Sequence, residues 1–90
     1  MNDARRKALS ALRSDIEGVK AQVEALKETL DPLKDEEQEY KDNMPQSFQD
    51  GDKGNAADEA IQALETAGEK IDEAVTALDE AISEIENAEA

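Results

Sequence analysis

Carboxylates are the one chemistry-bearing side chain that this 90-residue sequence has in quantity, with 24 Asp and Glu against 10 Lys and Arg and neither histidine nor cysteine. Paired acids could share a proton and do acid–base work, and Asp72-Glu73 and Asp79-Glu80 recur seven residues apart. That chemistry needs a dry pocket to separate two carboxylate pKa values. A seven-residue interval instead repeats one solvated helix position. No serine lies in a nucleophile-like context either, so the expectation is a protein that is not an enzyme and uses no cofactor. Asp50-Gly51-Asp52-Lys53-Gly54-Asn55 opens like a calcium loop. An EF-hand places an oxygen ligand fifth, glycine sixth and glutamate twelfth. Counted from Asp50 those places hold Gly54, Asn55 and Ile61, so the segment reads as a turn and no metal site is expected.

Recognition is the chemistry left to these acids. A net charge of −14 repels DNA, RNA and anionic lipid, which argues against direct nucleic-acid or membrane binding. It attracts basic surfaces, including those of proteins that themselves bind nucleic acid. Between Asn55 and Ala90 there are 11 acids and one base, Lys70, a local balance of −10. A rigid helix studded with carboxylates can imitate a nucleic-acid backbone and occupy a cationic channel, associating fast and in a salt-sensitive way. Glu59, Glu69, Glu73, Glu80, Glu84 and Glu89 are the candidates; the plainer alternative is a solvated face that keeps the protein soluble. Both aromatics fall in the segment 35–49. Tyr40, Met44 and Phe48 either plug the turn end of the fold, with Glu37 and Gln38 satisfying turn amides, or Tyr40 and Phe48 form an acid-ringed knob for a partner.

The elements that carry these residues are written in heptads. Arg13, Lys20, Lys27, Lys34 and Lys41 recur every seventh residue in the first half, and Asp58, Glu65, Asp72, Asp79 and Glu86 in the second. Each follows an apolar residue at position d and so occupies position e, which faces e across an antiparallel pair and g across a parallel one. Pairing Lys41 with Asp58, Lys34 with Glu65, Lys27 with Asp72, Lys20 with Asp79 and Arg13 with Glu86 keeps the sum of the two numbers constant. A chain doubled back on itself produces that pattern. The apolar lines agree. Leu9, Leu12, Ile16, Val19, Val23, Leu26, Leu30 and Leu33 alternate three and four apart, as do Ile61, Leu64, Ile71, Val75, Leu78, Ile82 and Ile85 around Gly68. They predict an a/d seam with Leu33 opposite Gly68 and the helices close together there.

Breaks are few. Pro32 removes one helical hydrogen bond and crowds the carbonyl four residues back, yet the heptad phase continues through it. One kinked helix is the preferred reading, and a clean break at Leu30–Asp31, with Asp31 capping a new helix, is the alternative. Pro45, Gly51 and Gly54 mark a turn, after which Asn55 would cap the second helix with Asp58 completing a capping-box-like arrangement. Alanine fills position g of the second helix at 60, 67, 74, 81 and 88. It either suits a solvated helix surface or docks on a second copy or another partner, completing a three- or four-helix bundle.

Glu37, Gln38, Asn43, Pro45 and Gln49, set in the run from Asp35 to Gln49, give the chain one family likeness. It resembles the short, acidic, helical-hairpin proteins of tailed phages and prophages, which carry a similar acidic-Gln-aromatic-Asp-Asn-Met-Pro segment before a second helix rich in Ala, Asp, Glu and Ile. The resemblance implies a phage or mobile-element origin and a turn-end structure at these residues, and no established activity.

The expected fold is an all-α antiparallel two-helix coiled-coil hairpin over residues 1–90, with helix 3–43, turn 44–55 and helix 56–88, and with homodimerisation into a four-helix bundle as one option. The expected function is that of a phage-type accessory protein that blocks a basic host protein such as a nucleic-acid-binding defence complex. Its partner-binding residues would be Glu59, Glu69, Glu73, Glu80, Glu84, Tyr40 and Phe48. A structural or scaffolding coiled coil that self-assembles through the alanine flank is the alternative. No stretch approaches the roughly 18 apolar residues of a membrane span, and no apolar run follows Arg5, Arg6 and Lys7 as in a signal peptide. A cytoplasmic location in a bacterial host cell is therefore expected.

Overall fold

The computed structural model describes all residues, Met1–Ala90, and is all-helical. Helix α1 spans Asp3–Asp42, α2 is the single turn Gln46–Gln49, and α3 spans Asp52–Glu89. Asn2 starts α1: its side-chain oxygen accepts from the Arg5 amide at 2.8 Å, satisfying one donor that the first turn leaves free. Pro32 lies inside α1, which continues past it, so the break at Leu30–Asp31 does not occur.

The segment 44–55 is not one turn. Pro45 opens α2, its carbonyl accepting from Phe48 and Gln49 at 2.8 and 3.1 Å. The second long helix begins at Asp52, four residues ahead of the predicted start. Asn55 is therefore no cap: its amide donates to the Gly51 carbonyl at 3.0 Å as an ordinary helical residue. Asp52 supplies the negative charge that favours a helix start. The glycines misled because neither needs a left-handed backbone; positive φ occurs nowhere in the chain. Gly54 is buried in the first turn of α3. A Cβ there would stand 2.7 Å from Gln49 Cα, with the Gln49 carbonyl nearer still. Close backbone approach, not a turn, is what excludes a side chain at 54.

The chain divides into two compact units. The first holds Met1–Ala25 and Ile71–Ala90. Arg13 meets Glu86 at 3.5 Å and Lys20 meets Asp79 at 2.6 Å, while Arg6 Nε donates to the Glu89 carbonyl at 3.1 Å. Ascending numbers on α1 meet descending ones on α3, so the two segments run antiparallel. The second unit is Leu26–Lys70. In it the Lys41 ammonium pairs with Asp58, and Leu30, not Leu33, faces Gly68, at 3.8 Å from where a Cβ would stand. That is ordinary contact, so the close approach predicted at Gly68 is absent. Lys34 and Glu65 form no ion pair, although the numbering matched them.

Burial corrects the predicted seam. On α3 positions a and d face inward as expected: Ala57, Ile61 and Ile82 are buried, and Leu64, Ile71, Val75, Leu78 and Ile85 half-buried. On α1 no residue is fully buried. Its half-buried residues are those at a (Leu9, Ile16, Val23, Leu30, Glu37) and e (Arg13, Lys20, Lys27, Lys34, Lys41), and just beyond its end Met44 is half-buried too. Its d residues Leu12, Val19, Leu26, Leu33 and Tyr40 are instead 47–61% exposed. Adjacent heptad lines lie about 50° apart, so α1 is turned by about that angle from the predicted seam. Long basic side chains explain the turn. Their methylene stems cover apolar surface, and the charged ends of Arg13, Lys20 and Lys41 reach acids of α3.

Candidate functional site

Eight of the twelve acids of α3 fall into two groups. Asp58, Asp79, Glu86 and Glu89 belong to the fold. Arg13 holds two of them in its fork, Nη1 to Glu86 at 3.5 Å and Nη2 to Glu89 at 3.2 Å. Glu89 was expected to be free; its side chain is only 18% exposed, and sequence periodicity missed it because it occupies an a position. The signal was available, since a forked guanidinium spans two acids one turn apart. Near Lys20, the hydrogen-bonded Asp79 carboxylate holds the ammonium above the usual lysine range, with Glu24 and Glu17 reinforcing it and partial desolvation opposing it.

Glu59, Glu69, Glu80 and Glu84 form the other group, all exposed and outside these ion pairs. Glu73 is also exposed but is engaged by another group in the chain. In a helix rising 1.5 Å per residue, Glu73 and Glu80 stand about 10 Å apart on one line. No cluster of three or more acids is arranged to hold a metal ion. Nor is any helix long and apolar enough to cross a membrane.

The aromatics do not plug the turn end. Tyr40 and Phe48 are about half exposed, and only Met44 is drawn in. Lys53 Nζ lies 5.3 Å from the Phe48 ring centroid, a cation–π contact that orients the ring without covering it. Glu37 and Gln38 do not satisfy turn amides. Gln38 donates to the Asp42 carboxylate at 3.0 Å, and Glu37 sits half-buried at an a position. Gln49 does the closing instead: its amide nitrogen donates to the carbonyls of Met44 at 2.9 Å and Asp42 at 3.3 Å. It thereby satisfies acceptors that the end of α1 leaves over. In unit Leu26–Lys70, Tyr40, Phe48 and Glu59 are thus all solvent-facing. In the other unit Glu73, Glu80 and Glu84 are. No family model, curated protein or solved structure matches this chain.

Proposed function

We propose that this chain is a non-enzymatic phage-type accessory protein, a through-running antiparallel coiled-coil hairpin. It binds a basic host protein of the class of nucleic-acid-binding defence complexes and blocks it in the host cytoplasm. The observation that carries this reading is the division of labour among the acids of α3. Asp58, Asp79, Glu86 and Glu89 tie down α1, and Glu59, Glu69, Glu80 and Glu84 are not needed for that. Surface carboxylates held on a stiff helix present charge at fixed intervals, which suits a cationic channel. Exposed Tyr40 and Phe48 add aromatic surface of the type that anchors interfaces.

The test is capture of host proteins on the immobilised chain at low and at high salt. A basic partner retained near 0.05 M salt and released near 0.5 M is the expected result, because screening shortens the reach of exposed charges. The double variant Glu80→Lys, Glu84→Lys should lose that partner while its helical circular dichroism stays unchanged. Absence of any salt-sensitive partner, or capture indifferent to the reversal, removes the proposal.

A further inference from the structure

Within the unit of Met1–Ala25 and Ile71–Ala90, one edge of the helix pair is a groove with apolar walls and an acid on each rim. Arg13–Glu86 and Lys20–Asp79 close the e edge. Helix α1 turns a and e inward and α3 turns a and d inward. Line d of α1 and line g of α3 therefore each lie about 75° from the inward direction, on the edge opposite the ion pairs, since adjacent heptad lines are about 50° apart. The two ion pairs set the register, with Leu12 across from Ala88 and Val19 across from Ala81. Leu12 and Val19 are 47% and 48% exposed, and Ala81 is half-buried. Next outward come line g of α1 and line c of α3. There Asp15 and Glu84 stand at the same level, one on each rim, both exposed and neither in an ion pair. Arg5, seven residues before Leu12, is the only base of this unit on these four lines.

We propose that this groove takes an amphipathic helix of a basic partner. The helix lays its apolar stripe against Leu12 and Val19 and sets a Lys or Arg on each flank against Asp15 and Glu84. The inference rests on the basic partner proposed above and adds where that partner docks and what it presents. Two observations select the occupant. The first is period. Both walls repeat every seven residues, the interval at which a third helix places its own apolar stripe. An extended peptide would need unpaired backbone groups to add to, and both helices satisfy theirs internally. The second is charge. Asp15 and Glu84 have no partner within the chain, and their unit carries 11 acids against 5 bases. An apolar stripe with a base on either side supplies what both rims lack. A second copy does not: docked about a two-fold axis, it would set Asp15 and Glu84 against their own counterparts. Anionic lipid is repelled by the same rims.

Fluorescence anisotropy of synthetic peptides titrated with the full chain at about 0.15 M salt tests this. One peptide of about 14 residues, four helical turns, carries leucines at helical spacing between lysine flanks. A second shuffles the same residues so that no stripe forms. The first should bind at least about tenfold more tightly. Val19→Glu and Leu12→Glu each add a negative charge, so simple attraction would tighten binding. Docking in the groove should instead weaken it about tenfold or more, because each variant buries a charge against the stripe. Both residues are about half exposed, so helical circular dichroism should persist and separate lost docking from lost folding. Asp15→Asn with Glu84→Gln should weaken binding severalfold without touching the apolar walls. Equal binding of the two peptides, or glutamate variants that bind as well as the wild type, overturns the inference. So does a wild type that sediments as a dimer and becomes monomeric on Val19→Glu, since a second copy then fills the groove. Peptide docking without host capture would remove the proposed function alone. Host capture by a chain that ignores the peptide would remove this inference alone.

Discussion

Replacing Gly54 by alanine isolates one contact on which the turn end depends. Two opposing effects follow. Alanine favours a helix over glycine by about 0.8–1 kcal/mol, and residue 54 is helical with no positive φ to relieve. Against that, the new methyl would meet main chain and not a flexible tip. It would stand 2.7 Å from Gln49 Cα, with the Gln49 carbonyl carbon and oxygen closer, where ordinary contact begins at about 3.4 Å. Relief requires moving α2, whose Gln49 also closes the end of α1 through its contacts with Asp42 and Met44. Overpacking of this kind costs about 1–3 kcal/mol, and more when the backbone must shift. The net expectation is a loss of about 1–2 kcal/mol, which lowers the melting temperature of a chain this size by roughly 4–16 °C. Gly68→Ala is the matched control. Its methyl would meet only Leu30 Cδ2, at 3.8 Å, so the propensity gain of about 0.8–1 kcal/mol should appear almost whole, as roughly 3–8 °C of added stability. Thermal melts followed at 222 nm, at one fixed protein concentration because association would shift them, read both variants. A Gly54→Ala protein melting at or above the wild type would refute the backbone contact. A Gly68→Ala protein melting below it would show that α1 and α3 pack more tightly at Leu30 than the 3.8 Å contact allows.

Two further outcomes follow from individual contacts. Gln49→Leu keeps side-chain size but removes the donor to Met44 and Asp42, and should lower stability by about 1 kcal/mol; an unchanged urea midpoint would show that water replaces the bond without loss. The raised pKa of Lys20, due first to its hydrogen bond with Asp79, gives stability that is fully present below the ordinary lysine range and is lost as pH climbs through the higher folded-state value. Asp79→Asn should therefore flatten the alkaline limb of a stability–pH curve between pH 9 and 12. Equal limbs in the two proteins would dismiss the linkage.

The turn end was the least legible part of the sequence. Gly51 and Gly54 looked like punctuation between helices, because a glycine's usual message is a backbone that other residues avoid. At Gly54 the restriction comes from another segment's main chain, which local pattern cannot report. Gln49 stood out in the motif, but its contact with carbonyls at the end of α1 depends on where α2 sits. Glu89 differs: its one-turn spacing from Glu86 was readable, but a heptad count pairs Arg13 with one acid and not with the two its fork holds.

Sequence alone determined that the chain is helical, that α3 turns its a and d lines inward, and that Arg13, Lys20 and Lys41 would meet Glu86, Asp79 and Asp58. Those features follow from residue spacing, since a fixed period places residues on one line of a helix and a constant index sum matches two lines running in opposite directions. Which lines of α1 face inward was a tertiary decision. Lines d, a and e are neighbours, and an apolar pattern selects d and a because it counts the basic residues at e as solvent-facing. In the folded chain these residues lie half-buried, and Arg13, Lys20 and Lys41 reach acids of α3 with their charged ends, so packing and ion pairing are satisfied by the same residues. The helix turns toward e, and Leu12, Val19, Leu26 and Leu33 are left on the outside.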